Sequence, residues 1–466
     1  MVNSATDAKR VSEAPGDDDG DMTIDAMPTK ELFIDMLTRD IALIPAIIDL
    51  VDNSADGAKN VKGDGSLRGY WARVAVSGNE FTVSDNCGGI SVETARKYAF
   101  RFGRPSGAPS IKHSVGQFGV GMKRAVFKMG RKFRVESTTR TSRFVVEVDV
   151  DAWAKKTKWE FEFTELDEKT KHSADDVGTT VTVTRLHADV AEKFSQESFA
   201  TELRNEIQSR LQDPISRGLA TTLNTLPVDA EPMTMLSDSK LAPAHKKLTY
   251  SGKNVKPVIV NLFCGIGRSG SRSDERVDAG WHVFCNGRLI LEGDKTDVTG
   301  WDSDADSISI PGFHPQYNNL RGFAYFDSDD PARLPWNTTK TGLNTDSPVY
   351  RAAKLEMMQL MRPVIDFLNK LKDEKQSKED PEEKGPLERL VDAAKSVPLG
   401  EAQTRPAFTP PVVRLTPRAI GPVMQKIQYL VPFQKVLEVK KALGVRSYTD
   451  VGIGTFNYFY NAEVDS

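Results

Sequence analysis

Ala46-Ile47-Ile48-Asp49-Leu50-Val51-Asp52-Asn53-Ser54-Ala55-Asp56-Gly57-Ala58 is the stretch whose reading decides the fold. Taken as a helix, it sets Asp49, Asn53 and Asp56 at i, i+4 and i+7, one polar stripe along one side. Ile47, Ile48, Leu50, Val51, Ala55 and Ala58 surround that stripe, and a helix apolar over most of its circumference is mostly buried. Buried carboxylate and carboxamide groups need partners. A bound metal ion and a phosphate chain would supply them. A helix whose stripe faces water is the other reading of the same pattern, and this stretch alone does not separate the two.

Working outward, residues 73–76 and 80–83 flank Ser77-Gly78-Asn79, a hairpin signal. The second of these strands runs into Ser84-Asp85-Asn86-Cys87-Gly88-Gly89-Ile90. Glycines after a strand-end carboxylate let a ligand approach the backbone. Asp85 there can accept a hydrogen bond from an amino group such as that of adenine. A glycine turn with an Asp cap is the common alternative. Further on, Gly116-Gln117-Phe118-Gly119-Val120-Gly121-Met122-Lys123 opens a helix that Gly130 ends. Its glycines free backbone N–H groups at a helix N-terminus, a ready anion site, and Lys123 adds a charge one turn in. Helix–strand packing explains such glycines about as often.

Alternating segments at 132–138, 144–150 and 158–163, and the run Gly178-Thr179-Thr180-Val181-Thr182-Val183, predict strands. Before the Asp49 helix, Thr29 caps a short helix over 31–37, and Pro45 falls in a tolerant first turn. Helices first, then a largely antiparallel sheet with one helix inserted, describe an α/β protein whose first domain, 28–190, is a two-layer α/β sandwich.

The chain has 466 residues, enough for two or three domains. A net charge of −3 gives no global pull toward nucleic acid or anionic membrane. Cys87, Cys264 and Cys285 are odd in number and far apart, which fits a reducing compartment without a disulfide framework. The longest apolar run, 41–51, is too short to span a bilayer. No signal peptide or zinc-site spacing is read. The expected compartment is the cytoplasm, with the nucleus also compatible.

Residues 1–27 read as a disordered tail with the acidic run Asp17-Asp18-Asp19. A helix over 196–211 and a polar loop connect, through 191–248, to a second domain at 249–372. There Asn286-Gly287 joins two apolar runs as a hairpin, and a strand at 322–327 leads to Leu334-Pro335-Trp336-Asn337-Thr338-Thr339-Lys340-Thr341-Gly342. A long helix over 348–371 follows. Charged and Pro-rich residues 373–415 read as a linker with a short helix at 387–397. Residues 416–466 read as a small C-terminal module, with a helix over 436–443 and the aromatic run Phe456-Asn457-Tyr458-Phe459-Tyr460.

Together and in this order, the Asp49 helix, the Asp85 turn, the glycine segment and Gly178-Thr179 resemble the ATP site of the GHKL superfamily: gyrase B subunits, large heat-shock chaperones, histidine kinases and MutL proteins. The resemblance covers 28–190 and implies the Bergerat ATP-binding fold. It implies that Asn53 is the Mg2+ ligand, that Asp85 reads adenine with Thr179 as its partner, and that Gly89, Ile90 and Asp56 line the site. It makes Gly116, Gln117, Phe118, Gly119, Val120, Gly121, Met122 and Lys123 the phosphate cradle and residues 100–114 a lid. Asp49 falls at the general-base position, where the family has glutamate; aspartate is shorter by one C–C bond, about 1.5 Å, and Asp52 is a second candidate whose angular position points away from the stripe. Cys87 replaces the first glycine of the family's DxGxG. No GxxxxGK[ST] loop is present.

Cys285-Asn286-Gly287-Arg288 resembles the NGR segment of the MutL transducer, an S5-like domain, with similar sequence in microrchidia ATPases. Thr339-Lys340 resembles the QTK-type loop whose lysine reaches the γ-phosphate, which makes Lys340 a catalytic candidate beside Asp49. Only a short tail precedes the ATP module, so kinase activity is not expected, and neither is nuclease activity. The resemblance implies a Mg2+-dependent ATPase that drives an ATP-dependent homodimer clamp on DNA or a protein client. Arg268, Arg272, Lys246 and Lys247 are the candidates for a basic groove. Aspartate in place of glutamate also permits an ATP-binding switch with negligible turnover, read by a protein partner.

Overall fold

Alternation along the strands decides which side of the first sheet is covered. The computed structural model describes residues 28–63, 65–103, 115–116, 119–253, 255–268, 279–305, 308–377, 384–409 and 427–464. Helices α1 (Lys30–Arg39) and α2 (Leu43–Lys62) precede strands β1 (Trp71–Val76) and β2 (Glu80–Asp85). The single turn α3 (Val92–Thr94) and helix α4 (Gly121–Met129) lead to β3 (Gly130–Thr138) and β4 (Arg143–Asp149). The short α5 (Val150–Ala154), β5 (Phe163–Asp167) and β6 (Gly178–Leu186) follow. Helices α6 (Ala188–Phe194), α7 (Glu197–Arg210) and α8 (Gln212–Ser216) return the chain to β7 (Ala220–Leu223) and β8 (Leu226–Val228).

The strands order as β5-β4-β3-β6-β2-β1-β7-β8, antiparallel except where β7 joins β1. Phe81, Val183, Phe133 and Val148 lie opposite one another across β2, β6, β3 and β4; Val83, Val181, Val135 and Val146 form the next row. Both rows are buried in one core with Ile47, Leu50 and Val51 of α2. The period of two turns the intervening residues outward. There Arg143 bridges Glu136 and Glu165, each at 2.7 Å, on a half-exposed surface where such pairs add little stability. One covered face and one wet face make the expected two-layer sandwich.

α2 packs on β1 and β2 and is flanked by α4 and α7. Thr29 caps α1 as expected, its hydroxyl accepting from the Leu32 N–H at 3.3 Å. Lys30 is buried, and its ammonium donates to the carbonyls of Trp153, Lys156 and Lys158 over the Trp153 ring. This anchor explains one departure from the sequence reading. Residues 158–162 form no strand, because the Lys158 carbonyl accepts from Lys30 and the Glu160 carbonyl from the Trp153 indole. Trp159 and Phe161 pack around Trp153 instead, and pairing resumes only at Phe163.

The stretch 191–248 is also less loop-like than its polarity suggests. It supplies α7, α8, two strands of the first sheet, β9 (Thr234–Ser237) and the start of β10 (Ala244–Gly252). Next come β11 (Val255–Ile266), β12 (Gly280–Cys285), β13 (Arg288–Asp294), the small hairpin β14 (Ser303–Ala305) and β15 (Ile308–Ile310), and β16 (Leu320–Asp327). A second sheet orders as β10-β11-β16-β12-β13, and helix α9 (Pro348–Gln376), which contains Pro363, packs on β11 and β16. Asn286 and Gly287 hold φ of 48° and 80°, the left-handed pair that a tight hairpin needs.

Much of the Pro-rich stretch 373–415 is folded. Helix α10 (Pro386–Ala393) ends before the expected residue 397, and β17 (Lys395–Pro398) pairs antiparallel with β9. Phe408 is buried edge-on against Phe367. Met1–Pro411 form one compact unit and Val412–Ser466 a second. Within the second, α11 (Phe433–Leu443) ends at Gly444 in the left-handed region, as expected, and α12 (Tyr448–Glu463) carries the aromatic run behind a Ser447/Asp450 capping box. All three cysteines are buried and free. Among the described residues no helix is long and apolar enough to cross a membrane.

Candidate functional site

Burial of Ala46, Ile47, Leu50 and Val51 carries the intervening acids of α2 inside with them. Asp49, Asp52 and Asp56 are 2%, 3% and 5% exposed, whereas Asn53 stays open to solvent. The carboxylates of the stripe therefore do not face water, and each has found a partner. Asp56 accepts from the Val115 and Gly116 N–H groups at 2.8 and 2.9 Å, fixing the start of the glycine segment. Asp49 accepts from Arg124 at 2.6 Å on one oxygen and from Lys340 at 3.1 Å on the other. Asp52 pairs with Arg288 and lies 3.6 Å from Lys340.

At the end of β2, Asp85 accepts from the Ser54 hydroxyl at 2.7 Å and the Cys87 N–H at 2.8 Å, and also from the Thr179 backbone. Burial pushes its pKa up against these three bonds. Gly89 holds φ of +70°, and a Cβ there would lie 2.1 Å from the Thr138 carbonyl oxygen, so only glycine fits. The Ile90 N–H bonds the Ser137 hydroxyl, which also meets the Thr179 hydroxyl at 2.9 Å.

The glycine segment runs between these groups. Gly119 holds φ of +66°, and α4 starts at Gly121, after Val120, without a side-chain cap. Met122 follows, half-buried. A Cβ on Gly121 would press on the Asp49 carboxylate at 3.3 Å, so α2 and α4 touch here. Lys123 is buried and donates to the carbonyls of Ala99 and Gly119; burial lowers its pKa to about 7. Gln117, Phe118 and lid residues 104–114 lie outside the described residues.

The fourth contribution comes from the second sheet. Lys340, in the loop after β16, is 5% exposed at φ of +54°, a conformation that costs a lysine about 1 kcal/mol. Lys59 of α2 reaches the Asn286 carbonyl at 3.2 Å. Asp49 and Asp52 thus face three cations, Arg124, Arg288 and Lys340, leaving one positive charge in excess in a buried cluster. An excess cation in such a place favours an anionic ligand. Burial alone would raise the Asp49 pKa, but Lys340, Arg288 and Arg124 outweigh it and hold the carboxyl below its usual range.

A cleft of about 510 Å3 joins these parts. Asp85, Gly89 and Thr179 line it on the sheet side; Asp49, Arg124 and Lys340 line it on the cationic side. It offers a carboxylate for a donor group and cations with helix N–H groups for an anion. Among the described residues no group of three or more His, Cys, Asp or Glu could hold a metal by itself. Asn53 gives one hard oxygen on the cleft wall, which suits Mg2+, an ion that keeps waters and phosphate oxygens as its other ligands.

Asp52, the second base candidate, lies off the stripe as its angle requires and points into the β12–β13 hairpin rather than to solvent. Arg124 carries one signal, a cation next to Lys123, whereas Arg288 is marked as the last residue of the NGR segment. Of the basic-groove candidates, Lys246 pairs with Glu356, and Arg268 donates to the carbonyls of Asp392 and Ala394. Arg272 lies outside the described residues.

Residues 41–180 match the family described as histidine kinase-, DNA gyrase B-, and HSP90-like ATPase. No curated protein matches the chain. The matched span runs through α2, the Asp85 turn, the glycine segment and Thr179. It supports the GHKL superfamily for this domain, with ATP binding as its activity.

Proposed function

We propose that the chain binds ATP with Mg2+ in this cleft, hydrolyses it, and uses the bound nucleotide to gate a homodimeric clamp on DNA or a protein client. The observation that carries the proposal is the meeting of Asp49 and Lys340. They lie 291 residues apart in sequence and 3.1 Å apart in space, buried at the cationic end of the cleft. Asp85 would accept the adenine amino group, with Thr179 beside it. The N–H groups from Gly116 to Lys123 would receive the phosphates. Asn53 would hold Mg2+, which neutralises phosphate charge. Lys340 would stabilise charge developing on the γ-phosphate, and Asp49 would orient the attacking water and take its proton.

In this reading the second sheet is an S5-like transducer of the MutL and microrchidia type. Lys340 and the Arg288 hairpin let that sheet register what occupies the cleft. The occupied Asp49 favours a second reading, an ATP-binding switch with negligible turnover. A base works best with a pKa near the working pH, and Lys340, Arg288 and Arg124 hold the Asp49 carboxyl below even its usual range.

Steady-state hydrolysis with Mg2+, measured beside nucleotide binding for wild type, Asp49→Ala, Asn53→Ala and Lys340→Ala, separates the readings. The ATPase reading expects wild-type turnover, binding without turnover in Asp49→Ala at a loss of roughly 10²–10⁴-fold, and loss of Mg2+-dependent binding in Asn53→Ala. Tight binding without product supports the switch. Absence of ATP binding refutes both.

A further inference from the structure

Arg124 is the cation of the cleft that no motif of the sequence accounts for. It follows Lys123 in the first turns of α4 and is 6% exposed. One guanidinium nitrogen, Nη2, bonds Asp49 Oδ2 at 2.6 Å, while Nε is fully buried and has no hydrogen-bond partner. A buried donor without a partner is costly, so the guanidinium is incompletely served where it stands. Lys123 gives its ammonium to two backbone carbonyls. Arg124 and Lys340 are therefore the cleft-lining cations held by a carboxylate instead of by the backbone.

The position of that carboxylate is informative. Ser54, which bonds Asp85, lies five residues beyond Asp49 on α2, about 7.5 Å along the helix axis. A nucleotide with its base at Asp85 and its phosphates running along α2 brings its terminal phosphate toward Asp49. A carboxylate and a phosphate present similar oxygens to a guanidinium. The Asp49 carboxylate meets both cations as a phosphate would, and its single charge offsets only one of them.

We propose that Arg124 is a γ-phosphate-contacting residue: a bound nucleoside triphosphate takes Arg124 and Lys340 from Asp49, and Asp49 is set free only by a ligand long enough to do so. The inference rests on the ATP reading and deepens it. A diphosphate ends short of the pair and leaves Asp49 covered. The exchange makes Asp49 both a competitor of the γ-phosphate and a group released by it, so the site distinguishes triphosphate from diphosphate before any chemistry.

Equilibrium binding of ADP and of the non-hydrolysable β,γ-imido analogue of ATP, each with Mg2+, tests this on the full-length chain as wild type, Arg124→Ala and Asp49→Asn. Arg124→Ala is expected to weaken the triphosphate analogue by roughly 10–100-fold, the worth of a charge-assisted bond, and ADP by less than about threefold. Asp49→Asn keeps the size of the side chain and removes the competitor. It is expected to tighten the triphosphate analogue several-fold and leave ADP unchanged, a gain that loss of a merely structural contact would not produce. Equal weakening of both ligands in Arg124→Ala overturns the inference, as does unchanged or weaker triphosphate binding in Asp49→Asn, which holds even if Arg124→Ala does not fold. Wild type binding neither nucleotide would refute the ATP reading itself, and this inference with it.

Discussion

Replacing Arg288 by methionine tests how the second sheet is held to α2. Arg288 and Asp52 retain 2% and 4% of side-chain exposure, and the guanidinium bonds the carboxylate directly. In Arg288→Met the nearest remaining cation to Asp52 is Lys340 at 3.6 Å, beyond hydrogen-bond distance and already bonded to Asp49. Removing one member of a buried pair typically costs 3–5 kcal/mol, because the survivor is left uncompensated. The residual pull of Lys340 places Arg288→Met near the lower end, about 3 kcal/mol. Asp52→Leu strands Arg288 and should cost about as much. The double variant removes both charges and should recover most of the loss. The cycle should therefore show a coupling of at least about 2 kcal/mol, roughly 30-fold in an equilibrium constant. A chain of this size does not unfold in one two-state step. The assay is accordingly native-state amide exchange, read as opening free energies over α2, β12 and β13. Additive single variants, with coupling below about 0.5 kcal/mol, would show that the pair does not join these elements.

Burial pushes the Asp56 carboxyl up to about 6, with Asp52 adding to the shift and Lys59 opposing it. The folded carboxyl binds its proton more tightly than the unfolded chain, so its contribution to stability is present at low pH and lost as pH rises through about 6. Between the ordinary value of 3.8 and about 6 that loss is roughly 3 kcal/mol. Opening free energies of α2 from native-state amide exchange, followed from pH 4 to 7, should fall across this window in wild type and lose that slope in Asp56→Asn; equal slopes would refute it. Gly89→Ala places a Cβ 2.1 Å from the Thr138 oxygen at positive φ and should cost more than about 2 kcal/mol. Gly103→Ala, also at positive φ but with nothing within 4 Å, should cost only about 1 kcal/mol. Equal melting temperatures for the two variants would refute the close approach at Gly89.

Local pattern was enough for the central helix, the hairpins at Gly78 and Asn286-Gly287, the strand rows, the caps at Thr29 and Gly444, and the two-layer class. Each depends on side-chain periodicity or on turn residues with special φ, and both act over a few neighbours. The lining of the candidate cleft was legible for the same reason: Asp85 with its glycines, the glycine segment and the Asp49 stripe are local signatures that line one cleft. Where reading failed, the competing interaction came from far along the chain. Residues 158–162 are irregular because Lys30 takes a carbonyl there, 128 residues away. Residues 395–398, inside the stretch read as a linker, become a strand because β9 offers an unpaired edge.

What the sequence by itself determined is therefore the set of chemical groups and the helix and turns that present them. What only the tertiary structure decided is their charge state and partners. Asp52 lies off the polar stripe on a helical wheel, yet it meets Arg288 from 236 residues away, and Asp49 is covered by Arg124 and Lys340 from 75 and 291 residues away. Charge pairing falls off with distance and with solvent, so its strength depends on which elements pack together and exclude water. A linear pattern names the acids of α2; folding of the second sheet against that helix decides that they are buried, paired and left with one cation in excess.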